Sequence, residues 1–207
     1  MIPLRLDEVA GLVPGQLETA AGAEEITGVQ VDSRRVRPGD LFVAVGRGSE
    51  YLDAAREHGA AATLVPGDAF AALAAIGAAV RARSRARLVG ITGSTGKTST
   101  KDILAALLRP VARTVAAEGG HNNEIGLPLT LCAIEPDTEI VVAEMGMRGL
   151  GQIAALCEIA RPDIGIVTSI GPVHLELLGT VERVAEAKAE VVAALPPGAT
   201  AIVPADA

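Results

Sequence analysis

The chain has 207 residues, enough for one or two globular domains, and 49% of them are hydrophobic, so an extended disordered chain is excluded. Lys and Arg number 18 against 25 Asp and Glu, a formal charge of -7, which repels phosphate backbones and argues against nucleic acid as a partner. Aromatic residues are confined to Phe42, Tyr51 and Phe70, so Ala, Val, Leu and Ile must fill the core, a composition suited to helices packed on a sheet.

The amino-terminal stretch MIPLRLDEVAGL carries an early Pro and two acids instead of a basic region followed by an apolar run, so it is not a secretion signal. A short helix is expected from Leu6, then strand, turn and strand through VQVDSRRVRPGDLFVAV, with Pro38-Gly39-Asp40 as the turn. A helix around Tyr51 to His58, a strand at Ala61 to Val65 and a helix from Asp68 to about Arg83 complete a small α/β unit. The Ala-rich stretch from Ala69 to Val80 is too short to cross a membrane, so no membrane insertion and a cytoplasmic location are expected. The basic run Arg81, Arg83, Arg85 and Arg87 lacks interleaved aromatics and reads as a solvated helix end or linker. The domain boundary is placed near Arg85, giving domains at 1–85 and 86–207.

Beyond it, apolar strands alternate with amphipathic helices, the pattern of a mostly parallel sheet with helices on both faces. Strands are expected at Leu88 to Thr92, Arg113 to Ala117, Glu139 to Met145 and Asp163 to Ile170, with a fifth beginning near Thr200. The chain stops at Ala207, short of the elements needed to cover that last strand, and reads as a fragment. Cys132 and Cys157 sit in apolar helical patterns without zinc-like spacing, so buried reduced thiols are expected.

Directly after the strand Leu88 to Thr92 comes Gly93-Ser94-Thr95-Gly96-Lys97-Thr98-Ser99, followed by a helical pattern with Ile103, Leu104, Leu107 and Leu108 on one face. Glycines let the backbone curl so that its N–H groups and the helix N-terminus converge on phosphate oxygens, while Lys97 adds charge and Thr98 a hydroxyl for magnesium. The longer phosphate-loop motif would have glycine at position 91, occupied here by Ile91, so the match is to a shorter G-x-x-G-K-T form. This motif predicts binding of the β and γ phosphates of a nucleotide together with Mg2+.

Ligands of an open parallel sheet collect beyond the carboxyl ends of its strands, and three more groups fall there. Glu144 closes the apolar run IVVAEM and can hold magnesium, or simply reach solvent at a strand end. His174 follows the strand DIGIVTSI in a loop, where a lone histidine is more often a surface or capping residue. Lys188 lies on the apolar stripe Val181, Val184, Val191 and Leu195 of a helix capped by Thr180. Burial would lower its pKa and leave a neutral amine able to take up carbon dioxide as a carbamate; the alternative is a side chain reaching out to water.

These pieces, ITGSTGKTST, HNNEIGLPLTL, VVAEMG and GPVHLELLGTVERVAEAKAE, resemble the Mur ligase family in order and spacing, over essentially the whole chain. VDSRRVRPGDLFVAV followed by HGAAATLV is similar to the UDP-binding amino-terminal domain of that family. Asn122-Asn123-Glu124-Ile125-Gly126 and HLELLGT look most like the last-acting member, which adds D-alanyl-D-alanine to a UDP-linked muramoyl tripeptide during peptidoglycan precursor synthesis. The resemblance implies Lys97 at the γ-phosphate, Thr98 and Glu144 at one magnesium, His174 and carbamylated Lys188 at a second, and Asn123 near the γ-phosphate. It implies Asp32, Ser33 and Arg34 against the uridine nucleotide, and a monomeric enzyme that uses ATP with Mg2+ to form an acyl phosphate and then an amide, ADP and phosphate. Gly48-Ser49-Glu50-Tyr51 replaces the family's Asp-Gly-His stretch, Gln152 stands for a glutamate and Ser169 for an asparagine. Without the family's carboxyl-terminal domain, the chain alone is expected not to complete ligation. The alternatives are a related ligase that adds the third residue, a folate polyglutamate synthase, and a nucleotide-binding module without catalysis.

Overall fold

The computed structural model describes residues 1–205, which divide into two compact units, Met1–Ser84 with Leu131–Pro136, and Arg85–Thr130 with the segment from Asp137 onward. Among the described residues, no helix is long and apolar enough to cross a membrane.

The first unit runs β1 (Leu4–Arg5), α1 (Leu6–Leu12), β2 (Gly15–Thr19), β3 (Glu25–Ile26), β4 (Gly28–Gln30), β5 (Asp40–Val43), α2 (Leu52–Glu57), β6 (Ala62–Pro66) and α3 (Ala69–Arg83). Its main sheet has the order β2-β6-β5-β4, with β2 antiparallel to β6 and the other pairs parallel, while β1 and β3 pair separately. The Asp68 carboxylate caps α3 by accepting the Phe70 and Ala71 N–H groups at 2.9 and 3.0 Å. The strand-turn-strand expectation needs correction. β4 and β5 are parallel neighbours, so the segment between them is a crossover containing a 3-10 turn at Ser33–Arg35, and Asp40 already belongs to β5. Every residue of β5 is buried, as suits a parallel strand covered on both faces. Pro38-Gly39 therefore ends the crossover, with Gly39 at φ 91, and does not reverse the chain between paired strands.

The second unit runs β7 (Arg87–Thr92), α4 (Lys97–Leu108), β8 (Thr114–Ala116), α5 (Gly126–Cys132, its last two residues counted with the first unit), β9 (Ile140–Glu144), α6 (Gln152–Ala160), β10 (Ile164–Val167), α7 (Leu175–Leu178), α8 (Val181–Ala193) and β11 (Thr200–Ile202). All five strands are parallel, in the order β11-β10-β7-β9-β8. Side chains alternate between sheet faces. On one face Val89, Ile91 and Val142 form a cluster with Leu104 and Leu108 of α4. Gly90, in register with Gly165 and Ala143, lies on the other face. A side chain at Gly165 would meet Leu195 and the Val191 carbonyl oxygen at 3.2 and 3.4 Å, so this small-residue row lets the α8 segment approach the sheet.

Two further expectations are revised. The inward stripe of α4 is Lys101, Leu104, Ala105 and Leu108, whereas Ile103 and Leu107 are 62% and 69% exposed. Small Ala105 turns toward the sheet and carries the two larger residues out. β10 ends at Val167, before the expected Ile170, because Thr168 and Ser169 turn their side chains to the loop after β7. Cys132 and Cys157 are free and buried, and burial pushes both thiols up to about 12.

Truncating a fully buried residue of β7 and an exposed one of α4 should separate these roles. Leu88→Ala is expected to cost about 2–5 kcal/mol of unfolding free energy, and Leu107→Ala less than about 0.5 kcal/mol, both read from urea denaturation.

Candidate nucleotide and metal site

The loop between β7 and α4 requires glycine where it turns. Gly93 and Gly96 adopt φ of 150 and 83, and a Cβ on Gly93 would lie 1.9 Å from Thr168 Oγ1. The loop is tied to the segment after β10. Ser94 N–H donates to the Ser169 carbonyl at 2.9 Å, the Gly171 N–H donates to Ser94 Oγ at 2.9 Å, and Thr95 N–H donates to Ser169 Oγ at 2.9 Å. Thr168 Oγ1 donates to the Thr95 carbonyl at 2.6 Å. The start of α4 keeps its first N–H groups free of intrahelical partners, the ordinary condition of a helix N-terminus, and the Lys97 ammonium meanwhile donates to the Gly93 carbonyl at 2.8 Å. An arriving anion would meet a positive charge, orphan N–H donors and the positive helix end together.

Parity brings the acid to the same place. Glu144 is in register with Ile91 and so shares the face covered by α4. Its carboxylate is only 1% exposed and is satisfied twice, accepting Thr98 Oγ1–H at 2.9 Å on one oxygen and Asn122 Nδ2–H at 2.9 Å on the other. The Asn122 carbonyl also accepts Gly146 N–H at 2.7 Å, and a side chain on Gly146 would collide with Asn122 Cγ at 2.9 Å.

Lys188 is buried on the inward side of α8 beside Val184, Ala187 and Val191, 2% exposed. Burial, and then the positive charge of Lys97, lower its pKa to about 8. That coupling sets Lys188 and Lys97 in one electrostatic environment. Thr180 Oγ1 caps α8 by accepting Arg183 N–H at 3.3 Å, and from the same helix the Glu190 carboxylate accepts Gly151 N–H at 2.5 Å and Ala154 N–H at 2.9 Å at the start of α6. His174 starts α7 at φ 55, with Nδ1 3.9 Å from Glu176 Oε1. Asn123 Oδ1 accepts the Ile125 and Gly126 N–H groups at 3.2 and 3.0 Å, capping α5, so it is the preceding Asn122 that touches the acid. Among the described residues, no three His, Cys, Asp or Glu side chains gather into a metal-binding group.

In the first unit, Asp32 caps the 3-10 turn by accepting Arg34 N–H at 3.1 Å, and its carboxylate pairs with the Arg34 guanidinium at 2.7 Å. The hydrogen bonds from Arg34 hold Asp32 down at about 2. Ser33 is buried in that turn.

Sequence reasoning assigned no site role to Lys101 or Thr168, and it showed Asn122 and Ser169 only as members of longer segments, without their contacts. Lys101 carried a signal as the first member of the stripe Lys101, Leu104, Ala105 and Leu108. The contacts of Asn122, Thr168 and Ser169 join segments far apart in the chain and leave no local pattern.

Residues 91–207 match the model of the Mur ligase middle domain. The chain is 38% identical, over 86% of its own length and 43% of the relative's, to the UDP-N-acetylmuramoyl-tripeptide--D-alanyl-D-alanine ligase of Synechocystis sp.. Its structure is similar to that of MurF from Acinetobacter baumannii, with a TM-score of 0.84 at 26% identity, covering 98% of this chain and 49% of that one. It is also similar to the MurF ligase of Thermotoga maritima solved in complex with ADP, with a TM-score of 0.74 at 34% identity over 85% of this chain and 45% of that one. The chain spans about half the length of the curated relatives it matches.

The buried amine sets a pH dependence. Folding depresses the Lys188 pKa to about 8, below the ordinary lysine value of about 10.4. Between those values the unfolded chain binds more protons, so unfolding free energy rises with pH across that window. We expect Lys188→Met to flatten the rise, and Lys97→Met to move the Lys188 midpoint, followed by NMR of the lysine side chains, upward.

Proposed function

The chain belongs to the Mur ligase family, and from that premise we propose that it is the precursor-binding and ATP-binding part of a ligase joining D-alanyl-D-alanine to a UDP-linked muramoyl tripeptide. The observation that carries this reading is the contact of Thr98 with Glu144 beside the glycine loop. Magnesium prefers oxygen ligands at about 2.0–2.1 Å in octahedral array, and neighbouring ligands of such an ion lie about 2.9 Å apart. The hydroxyl of Thr98 and the carboxylate of Glu144 are adjacent hard oxygen donors, joined here by a hydrogen bond of 2.9 Å, and that donor chemistry suits the ion. Bound there, magnesium would neutralise charge on the nucleotide phosphates.

The chain's own groups then take distinct roles in this reading. Lys97 exchanges the Gly93 carbonyl for the γ-phosphate, and the N–H groups at the α4 start hold the remaining phosphate oxygens. The precursor carboxylate attacks phosphorus as ADP departs, and the incoming amine then displaces phosphate from the acyl carbon and loses a proton, giving the amide. Positioning and charge neutralisation supply the acceleration. Lys188, buried and lowered to about 8, supports the carbamate role. Its neutral amine would form an N–C bond to carbon dioxide with loss of a proton, giving an anion that serves a second magnesium with His174. In the first unit, the Asp32-Ser33-Arg34 turn presents an exposed guanidinium in a rearrangeable surface ion pair, a fit for the uridine diphosphate part of the precursor.

Two measurements test the reading. Titration of the chain with ATP should show binding strengthened by Mg2+, and Lys97→Ala should weaken it at least about tenfold, roughly 1.4 kcal/mol. Equal binding by the variant would remove the phosphate-loop role. In a full-length polypeptide carrying this chain, phosphate release should require the UDP-linked tripeptide, ATP and D-alanyl-D-alanine. Release with a diamino acid in place of that dipeptide would instead assign the third-residue ligase.

A further inference from the structure

We propose that Lys101 is a positioning residue for the magnesium acid: its ammonium pins the turn that carries Asn122, and Asn122 orients Glu144. The magnesium half of this inference rests on the nucleotide reading above. Its structural half stands by itself.

Lys101 is 1% exposed on the sheet-facing side of α4. An ammonium in that place is costly unless its donors are satisfied, and a Leu or Met would pack there without the cost. All three donors have partners: the carbonyls of Ala117 at 2.8 Å and Gly119 at 3.0 Å, and the Asp102 carboxylate at 3.0 Å. The carbonyls lie where the chain leaves the sheet. Ala117 N–H makes its bond to Val142 just past the end of β8, and a turn then closes with His121 N–H donating to the Glu118 carbonyl at 3.1 Å, with Gly119 at φ 51.

The far side of the turn is held as firmly. A Cβ on Gly126 would lie 2.5 Å from His121 Cα, so the start of α5 abuts the turn directly. Between these two anchors Asn122 has little freedom, and both its side-chain amide and its carbonyl are committed to β9 and the residues after it, at Glu144 and Gly146. Lys97 and Lys101, one helical turn apart, thus divide the work. The first faces the glycine loop and the second fixes the opposite wall of the same site.

Lys101→Met keeps the length and packing of the stem and removes the donors. In the chain carrying it, amide exchange at His121 and Gly146 is expected to quicken by about tenfold or more, with β7 and β9 held within about twofold. The Mg2+ concentration for half-maximal ATP binding should rise about tenfold, while ATP affinity without Mg2+ stays within about twofold. Asn122→Ala should reproduce the magnesium effect and leave His121 exchange unchanged. Unchanged exchange at His121 and Gly146, or loss of protection throughout β7 and β9, would overturn the proposal, the latter by marking Lys101 as a general packing residue. Equal weakening of ATP with and without Mg2+ would overturn it too. If the parent chain bound no ATP at all, the nucleotide reading and the magnesium role would fall, and the exchange data would still decide whether Lys101 holds Asn122.

Discussion

A carboxylate withdrawn from water governs the second unit. Glu144 ends a strand whose other residues are apolar, and its position in the pleat turns it toward α4 and not toward solvent. A buried anion is tolerated only when its oxygens accept hydrogen bonds. Thr98 from the helix and Asn122 from the turn after β8 provide them, one to each oxygen. Both segments must therefore arrive at one point, and the glycine loop, the start of α4 and the turn from Ala117 to Asn122 are fixed relative to β9 by that requirement.

The same convergence explains where side chains are small. Gly93 leaves room for Thr168, Gly146 for Asn122 and Gly126 for His121, each at a distance no Cβ could occupy. These three glycines bring backbone from different crossovers to within contact of the sheet edge. Thr168 and Ser169 then replace further strand pairing with hydrogen bonds to Thr95 and its neighbours. Ser169 takes both main-chain groups of Thr95 as partners, N–H and carbonyl, through a single hydroxyl. The short serine side chain is sufficient for that latch.

Much of this was legible in the sequence because it is local. Strand, glycine loop and helix follow one another between Leu88 and Leu108, and apolar runs mark β9 and β10 by composition alone. The Thr180 cap and the inward Lys188 could be read from helical spacing. Polar edge strands could not. The residues of β2 are exposed or half-buried without apolar alternation, and β1 and β3 are two residues each. Direction of pairing also escaped, since β4 and β5 carry the same apolar signal whether they run parallel or antiparallel. On α4, two overlapping stripes shared Leu104 and Leu108, and the small Ala105 decided between them only through contact with the sheet. Asn122 was visible as part of a motif, but which of two adjacent asparagines reaches the acid depends on the turn that Lys101 anchors.

Two lysines facing one site raise a question of charge that the structure answers through burial. Lys97 is drawn in toward the Gly93 carbonyl, and its positive charge adds to desolvation in lowering Lys188. Desolvation is the larger of the two causes. A polyphosphate paired with Lys97 would cancel the smaller one and leave the larger in force, so Lys188 would stay below the ordinary lysine value with nucleotide in place. Lys97 stands as a cation at the mouth of the loop, held to the Gly93 carbonyl, and Lys188 as an amine enclosed by Val184, Ala187 and Val191 on the inward side of α8.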